Sequence, residues 1–235
     1  MSNSPSDRTL QVYARLAGFL YLFVMAAFVI PFVIVGSIGV PGDFMQTARN
    51  VVGSEDLYRV AIAITLVGCI AILALSGFFY AMLRTVDPGL AAIAFGLRVA
   101  EAVFMAFSAM LRLPALVNYA AAADGDGNRE VLHRFIFDSV GAATNVAFAF
   151  VSIGSTIFFY LFFKSRFIPC WLAGFGVLAS LALGALAFAL VLAPDQLVGL
   201  EMAAMLPLGI AEVTTGLWLL IAGANLSAHR QETGG

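Results

Sequence analysis

Charge is scarce in this sequence. Of 235 residues, 12 are Lys or Arg and 14 are Asp or Glu, 11% in all, while 62% are hydrophobic. A soluble domain carries about 25% charged residues. A chain with less than half that share cannot coat a water-facing surface of its own size, so a bilayer must cover most of it. The net charge of −2 leaves no basic footprint and argues against a nucleic-acid partner.

Histidine and cysteine are equally sparse, and each shortage removes a chemistry. His133 and His229 both fall outside the apolar stretches, which excludes a bis-histidine haem between helices. Cys69 and Cys170 lie in apolar stretches with no C-x-x-C spacing. They suggest neither a disulfide framework nor a thiolate metal site, and read as small buried hydrophobes. There is no P-loop and no dinucleotide fingerprint. The segments GSIGV and VSIGSTI do not match Gly-x-Ser-x-Gly. No candidate nucleophile has a base at usable spacing. No catalytic residue, cofactor or metal ligand is therefore assigned. An enzyme is the weakest reading, open only for a lipid or quinone substrate that would leave no short motif.

What the chain does have is long apolar runs. A spanning helix needs about 20 mostly apolar residues. Six stretches qualify: Ala14 to Ile38, Tyr58 to Leu83, Leu90 to Val117, Val140 to Phe163, Pro169 to Leu192 and Leu200 to Ala224. In lipid every backbone amide needs an internal partner, so these must be helices. The short alternating strands of a membrane barrel are not seen. The first run is too long for a signal-peptide core and lacks a clear cleavage site, so it reads as a retained helix, kinked at Pro31. The expected architecture is an all-α, polytopic transmembrane bundle of six spans over residues 14–224. Outer linkers occupy about 39–57 and 118–139, and the tails are 1–13 and 225–235.

Basic residues set the expected orientation. One side receives Arg8, Arg15, Arg84, Lys164, Arg166 and Arg230; the other receives Arg49, Arg59, Arg129 and Arg134. This bias puts both termini in the cytoplasm. The chain also repeats itself: FFYAMLRTVDPGLAAIAFG (Phe78 to Gly96) matches FFYLFFKSRFIPCWLAGFG (Phe158 to Gly176). Each copy has an aromatic triplet, a basic residue four positions after the tyrosine, a proline opening the next helix and a closing Phe-Gly. Both turns therefore belong on the same face. Duplication and convergent hairpin chemistry explain the likeness equally well.

The few charges inside the spans need an explanation. Arg98 and Glu101 lie in the third span, in GLRVAEAVFMAF, and Glu212 lies near the middle of the sixth, in LGIAEVTTGLWLL. A charge at the centre of a spanning helix costs about 2.5–3.5 kcal/mol on insertion scales. Such residues face the bundle interior, pair, or lose their charge. Arg98 and Glu101, at i,i+3, share a face that continues through Met105, Ser108 and Arg112. With alternating helix directions Glu101 and Glu212 sit at similar depth, so two acids and one arginine can converge. Arg112, nearer the outer end, reads as a side chain that snorkels to the interface. Asn145 is the remaining polar residue of note, because an amide within a span needs partners. The scattered Ser and Thr residues read as helix-packing groups. His133 and Asp138 read as parts of a solvated linker ahead of the fourth span.

Two functions fit Arg98, Glu101, Glu212 and Asn145 as ligand or proton-relay candidates. The first is a small transporter or proton-coupled carrier. The alternative is a non-catalytic accessory or sensory membrane subunit in which the charged cluster is structural. The expected partners are membrane lipid and either a second copy of the chain or another membrane protein, since six helices are few for a carrier.

Several segments resemble a bacterial membrane protein family known only as domain of unknown function 4386. They are GSTIFFYLFFKSRFIPCWLAGFGVLAS, MLPLGIAEVTTGLWLLIAGAN, ARLAGFLYLF, ARNVVGSEDLYRVAIA and FGLRVAEAV, together spanning about residues 10 to 225. The resemblance implies a multi-pass protein of the bacterial inner membrane. It implies that Arg59, the Arg98–Glu101 pair, Pro207, Glu212 and the Trp218-Leu219-Leu220 run are family features. Many members carry a histidine in or before the fourth helix, where this chain has GAATN; no histidine-dependent role is carried over.

Overall fold

The computed structural model describes residues 5–123, 129–193 and 200–226. Parts of the expected tails (1–4 and 227–235, with His229 and Arg230) and residues 124–128 of the second linker lie outside the described residues. Seven helices and no strand occur among the described residues: α1 Pro5–Ile38, α2 Phe44–Gly53, α3 Glu55–Leu83, α4 Pro88–Ala123, α5 Arg129–Ser165, α6 Cys170–Leu192 and α7 Leu200–Ile221. All but α2 are long and apolar enough to cross a membrane, six spans in total.

The helix ends follow local chemistry. The Asp43 side chain accepts from the Gln46 amide at 2.8 Å and caps α2. Asp87 does the same for Leu90 at 3.0 Å, with Pro88 at the first helical position, where no intrahelical amide is lost. Glu55 and Asp56 open α3, next to the positive end of its dipole. At the close of α7 the amides of Ala222 and Gly223 both reach the Trp218 carbonyl, and Gly223 has φ 75°. That left-handed conformation suits glycine and ends the helix. Helix α1 continues through Pro31 to Ile38.

The segments expected as outer linkers, 39–57 and 118–139, are largely helical where described. The first holds α2, which lies against α4. In the second, α4 runs on to Ala123 and α5 already begins at Arg129. At 1.5 Å per residue these helices of 36 and 37 residues are about 55 Å long, against a hydrocarbon core of about 30 Å. They therefore extend well past the lipid. Hydropathy reports which solvent surrounds a segment, whereas helical hydrogen bonds persist in either solvent. His133 and Asp138 accordingly sit within α5. His133 is not a freely solvated side chain: its ring stacks on Phe44 of α2 at 4.6 Å and lies 5.2 Å from Tyr119 of α4.

In the bundle, α1 packs against α3 and α7, and the pairs α3–α4, α4–α5, α5–α6 and α6–α7 complete a closed ring in chain order. Successive spans alternate in direction, so the start of α1 meets the end of α7. Gln11 fastens them: its Nε2 donates to the Ala224 carbonyl at 2.6 Å, and its Oε1 accepts from the Ala224 amide at 3.2 Å. The Asn225 amide donates to the Phe167 carbonyl at 3.0 Å and ties in the α5–α6 turn. The two repeated turns, α3–α4 and α5–α6, thus share this face.

Inside the ring, Phe79 of α3 meets Tyr21, Phe158 and Phe162 edge-on with centroids 5.1–5.4 Å apart. Outside it, Val117, Leu178 and Leu192 are 73%, 69% and 85% exposed. Large apolar side chains presented this way around a bundle are solvated by lipid, and the chain is a multi-pass membrane protein. Where α1 crosses α7 the backbones touch: a Cβ on Gly18 would lie 2.6 Å from the Gly216 carbonyl oxygen and would also overlap the Leu220 amide. Small residues allow such close crossings in lipid, where packing rather than water exclusion drives association. Gly18→Ala is therefore expected to cost about 1–3 kcal/mol. Gly36→Ala, whose added carbon would meet nothing within 4 Å, should be neutral or slightly stabilising. Detergent-denaturation midpoints of the two purified variants check the contrast.

Candidate functional site

The third span delivers its charges as their spacing requires. Arg98 and Glu101, one turn apart on α4, are 4% and 7% exposed, and Arg98 Nη1 lies 3.0 Å from Glu101 Oε2. The contact is an ion pair without hydrogen-bond alignment, so Glu101 Oε2 is electrostatically paired and still lacks a hydrogen-bond donor. Nη1 donates instead to Ser155 Oγ of α5 at 3.2 Å. The path to Ser155 is open because residue 154 is glycine. A Cβ there would sit 3.3 Å from Arg98 Cγ and Cδ and from Leu97 Cβ, against which it would be cramped. Gly154 thus gives the arginine's aliphatic stem a trough along α5.

The sixth span contributes Glu212, 8% exposed, whose Oε1 accepts from the Tyr21 hydroxyl of α1 at 3.1 Å. Arg98 lies within electrostatic reach of both Glu101 and Glu212. In ring order α4 and α7 stand opposite each other, as do α1 and α5. The group therefore fills the middle of the ring, with Arg98, Glu101 and Ser155 on one side and Glu212 and Tyr21 on the other. The buried thiol of Cys69, on α3, also comes within electrostatic reach of Glu101. Thr215, fully buried one turn beyond Glu212, has an Oγ1 with no hydrogen-bond partner. One guanidinium faces two carboxyl groups.

The fourth candidate stands apart. Asn145 Nδ2 donates to the Ala187 carbonyl at 3.1 Å and pins α5 to α6, while its buried Oδ1 has no partner. It is ten residues from Ser155, about 15 Å along α5. Of the stripe that continues along α4, Ser108 lies 3.1 Å from Thr144 Oγ1 of α5. Tyr21, Ser155 and Gly154 were not anticipated as members of the cluster. For Tyr21 a signal was present: between Arg15 and Ser37 it is the only residue with a polar side-chain atom. Nothing local distinguishes Ser155 from the other hydroxyls of α5.

A ring of six apolar spans closed around an internal ion pair and a second carboxyl defines a polytopic membrane protein with an intramembrane charged site. The chain belongs to the family described as domain of unknown function DUF4386, whose model matches residues 16–223. No curated protein and no solved structure matches it.

The site separates strong from weak links. Arg98→Ala leaves Glu101 buried without its counter-charge and is expected to lower stability by about 3–5 kcal/mol. Tyr21→Phe keeps the ring against Phe79 and removes one hydrogen bond, a loss of about 1 kcal/mol in a membrane interior. Denaturant titration in detergent measures both; equal losses would refute a dominant ion pair.

Proposed function

We propose that this protein is a small proton-coupled carrier of a bacterial inner membrane, with both termini cytoplasmic, in which Glu101 and Glu212 compete for Arg98. The reading rests on the imbalance of charge inside the ring: two carboxyl groups against one guanidinium, none more than 8% exposed. With all three ionised the group carries a net −1, and a low-dielectric interior opposes an uncompensated charge. One proton held by either carboxyl restores neutrality. A proton on Glu212 leaves Arg98 paired with Glu101 on its own helix. A proton on Glu101 leaves Glu212 as the counter-ion, and the attraction then runs across the ring from α4 to α7. Proton exchange thus moves an electrostatic bond from within one helix to between two facing ones. A carrier needs two arrangements of this kind, each biased by what is bound. Six spans are few for a carrier, which favours a homo-oligomer.

A second reading, a non-catalytic accessory or sensory subunit locked by the same cluster, draws on a different observation. Two surface hollows open beside Gln11 and Trp218 and beside Val52 to Leu57, and neither is lined by Arg98, Glu101 or Glu212. Liposome flux separates the two. For a carrier, Glu101→Gln and Glu212→Gln should leave the denaturation midpoint nearly unchanged and reduce pH-dependent solute uptake, read across a panel of small solutes, at least about tenfold. Loss of the folded protein with either change, and no pH-dependent uptake by the unaltered chain, would establish the lock instead. The orientation has its own check in cysteine labelling of intact cells: Ser54→Cys should react with an impermeant reagent and Thr85→Cys should not.

A further inference from the structure

A second group of polar side chains sits at the outer end of the bundle, away from the charged cluster. Arg112 of α4 is partly exposed and has no carboxylate partner among the described residues. Of the described carboxylates at this end, Glu55 pairs with Arg59 at 2.6 Å, Glu130 pairs with Arg134 at 2.9 Å, Asp43 caps α2, and Asp56 and Asp138 are exposed. Tyr119 lies two turns beyond Arg112 on the same helical face, and Tyr58 of α3 meets Tyr119 edge-on with ring centroids 6.3 Å apart. The guanidinium is within electrostatic reach of both phenol oxygens. Tyr58 and Tyr119 are 4% and 7% exposed, and among the described residues neither hydroxyl makes a hydrogen bond. Interfacial tyrosines normally turn outward to the headgroups; these two are folded inward. Phe44 of α2, with its ring 6.1 Å from that of Tyr119, and His133 of α5, 5.2 Å from it, pack on Tyr119.

Three donor groups, one of them cationic, thus lie at one end of α3 and α4, and among the described residues no carboxylate pairs with Arg112. The depth is informative too. Arg112 is eleven residues beyond Glu101, about 16 Å along the helix, and half the hydrocarbon thickness is about 15 Å. With Glu101 near the midplane, Arg112 lies at the edge of the hydrocarbon, from which its long side chain reaches toward the lipid phosphates.

We infer that Arg112, Tyr58 and Tyr119 form a binding site for a phosphate group between α3 and α4, beneath α2. Guanidinium presents paired N–H donors to phosphate oxygens, and a phenol adds an O–H donor. The phosphate comes either from an outer-leaflet phospholipid or from free phosphate in the outer aqueous phase, and the two sources are separable.

The test uses the full chain, purified in detergent and stripped of lipid, with the thermal midpoint read after adding dioleoylphosphatidylglycerol, dioleoylglycerol or inorganic phosphate. Phosphatidylglycerol should raise the midpoint by about 5 °C, and dioleoylglycerol, which lacks the phosphate, should not. A matching rise with inorganic phosphate would identify the aqueous source; a rise with the phospholipid alone would identify the lipid. Arg112→Gln should remove most of the rise. The Tyr58→Phe, Tyr119→Phe double variant, which keeps both rings, should remove at least half, and it decides the matter if Arg112→Gln does not fold. No rise with either phosphate compound, an equal rise with dioleoylglycerol, or an undiminished rise in the variants would overturn the site.

Discussion

Hydrocarbon neither accepts nor donates hydrogen bonds, and the rest of this structure follows from that constraint. Each backbone amide in contact with lipid must be satisfied within its own helix, which leaves six helices as the building units. Side chains facing outward have no water to avoid, so residues such as Val117 and Leu192 stand exposed without penalty. Ionic groups within the spans have the opposite problem. Arg98, Glu101 and Glu212 are largely shielded from water, and among the described residues they pair with one another, Tyr21 and Ser155.

Closure of the ring turns this necessity into a site. Were the six spans arranged in a row, α4 and α7 would be far apart and Glu212 would need a partner elsewhere. Contact between α1 and α7 brings the ends of the row together and places the two faces of the cluster across a shared interior. The joint depends on small features: Gly18 against the backbone of Gly216, and Gln11 bridging both polar atoms of Ala224. Gly154 plays the corresponding part within the site by admitting the stem of Arg98. Energetically, the cluster is weak support for the fold as such, since a buried ion pair often does no better than well-packed apolar residues. Its retention of an extra carboxyl is what points toward proton chemistry.

The α2 end of the bundle shows the same physics at the boundary between solvents. There α4 and α5 leave the lipid as intact helices, and α2 folds back over them. His133, Tyr119, Phe44 and Tyr58 form an aromatic cluster, and Arg112, on the same helix as Tyr119, pairs with no acid among the described residues. The inner and outer polar groups share one helix, α4, and differ in what they require. The inner group supplies its own counter-charges; the proposed phosphate site at the other end takes its anion from outside the protein.

Apolar run length by itself determined the number of spans, because about 20 residues of hydrocarbon-soluble sequence have one stable conformation in a bilayer. Spacing alone determined that Arg98 and Glu101 would share a face, since i,i+3 neighbours on a helix meet wherever that helix is placed. The ends of α4 and α5 were not legible, because hydropathy marks the change of solvent and a helix need not stop there. Asn145 shows a second limit: an amide within a span must be bonded, but its partner, the Ala187 carbonyl, is a backbone group that any sequence would provide. Only the tertiary structure decided that Glu212 bonds Tyr21, that Arg98 reaches Ser155, and that Tyr58 and Tyr119 turn inward above Arg112. Those pairings join residues on different helices, and their distances depend on ring closure and on where glycines allow close approach, neither of which is written in the periodicity of any one segment.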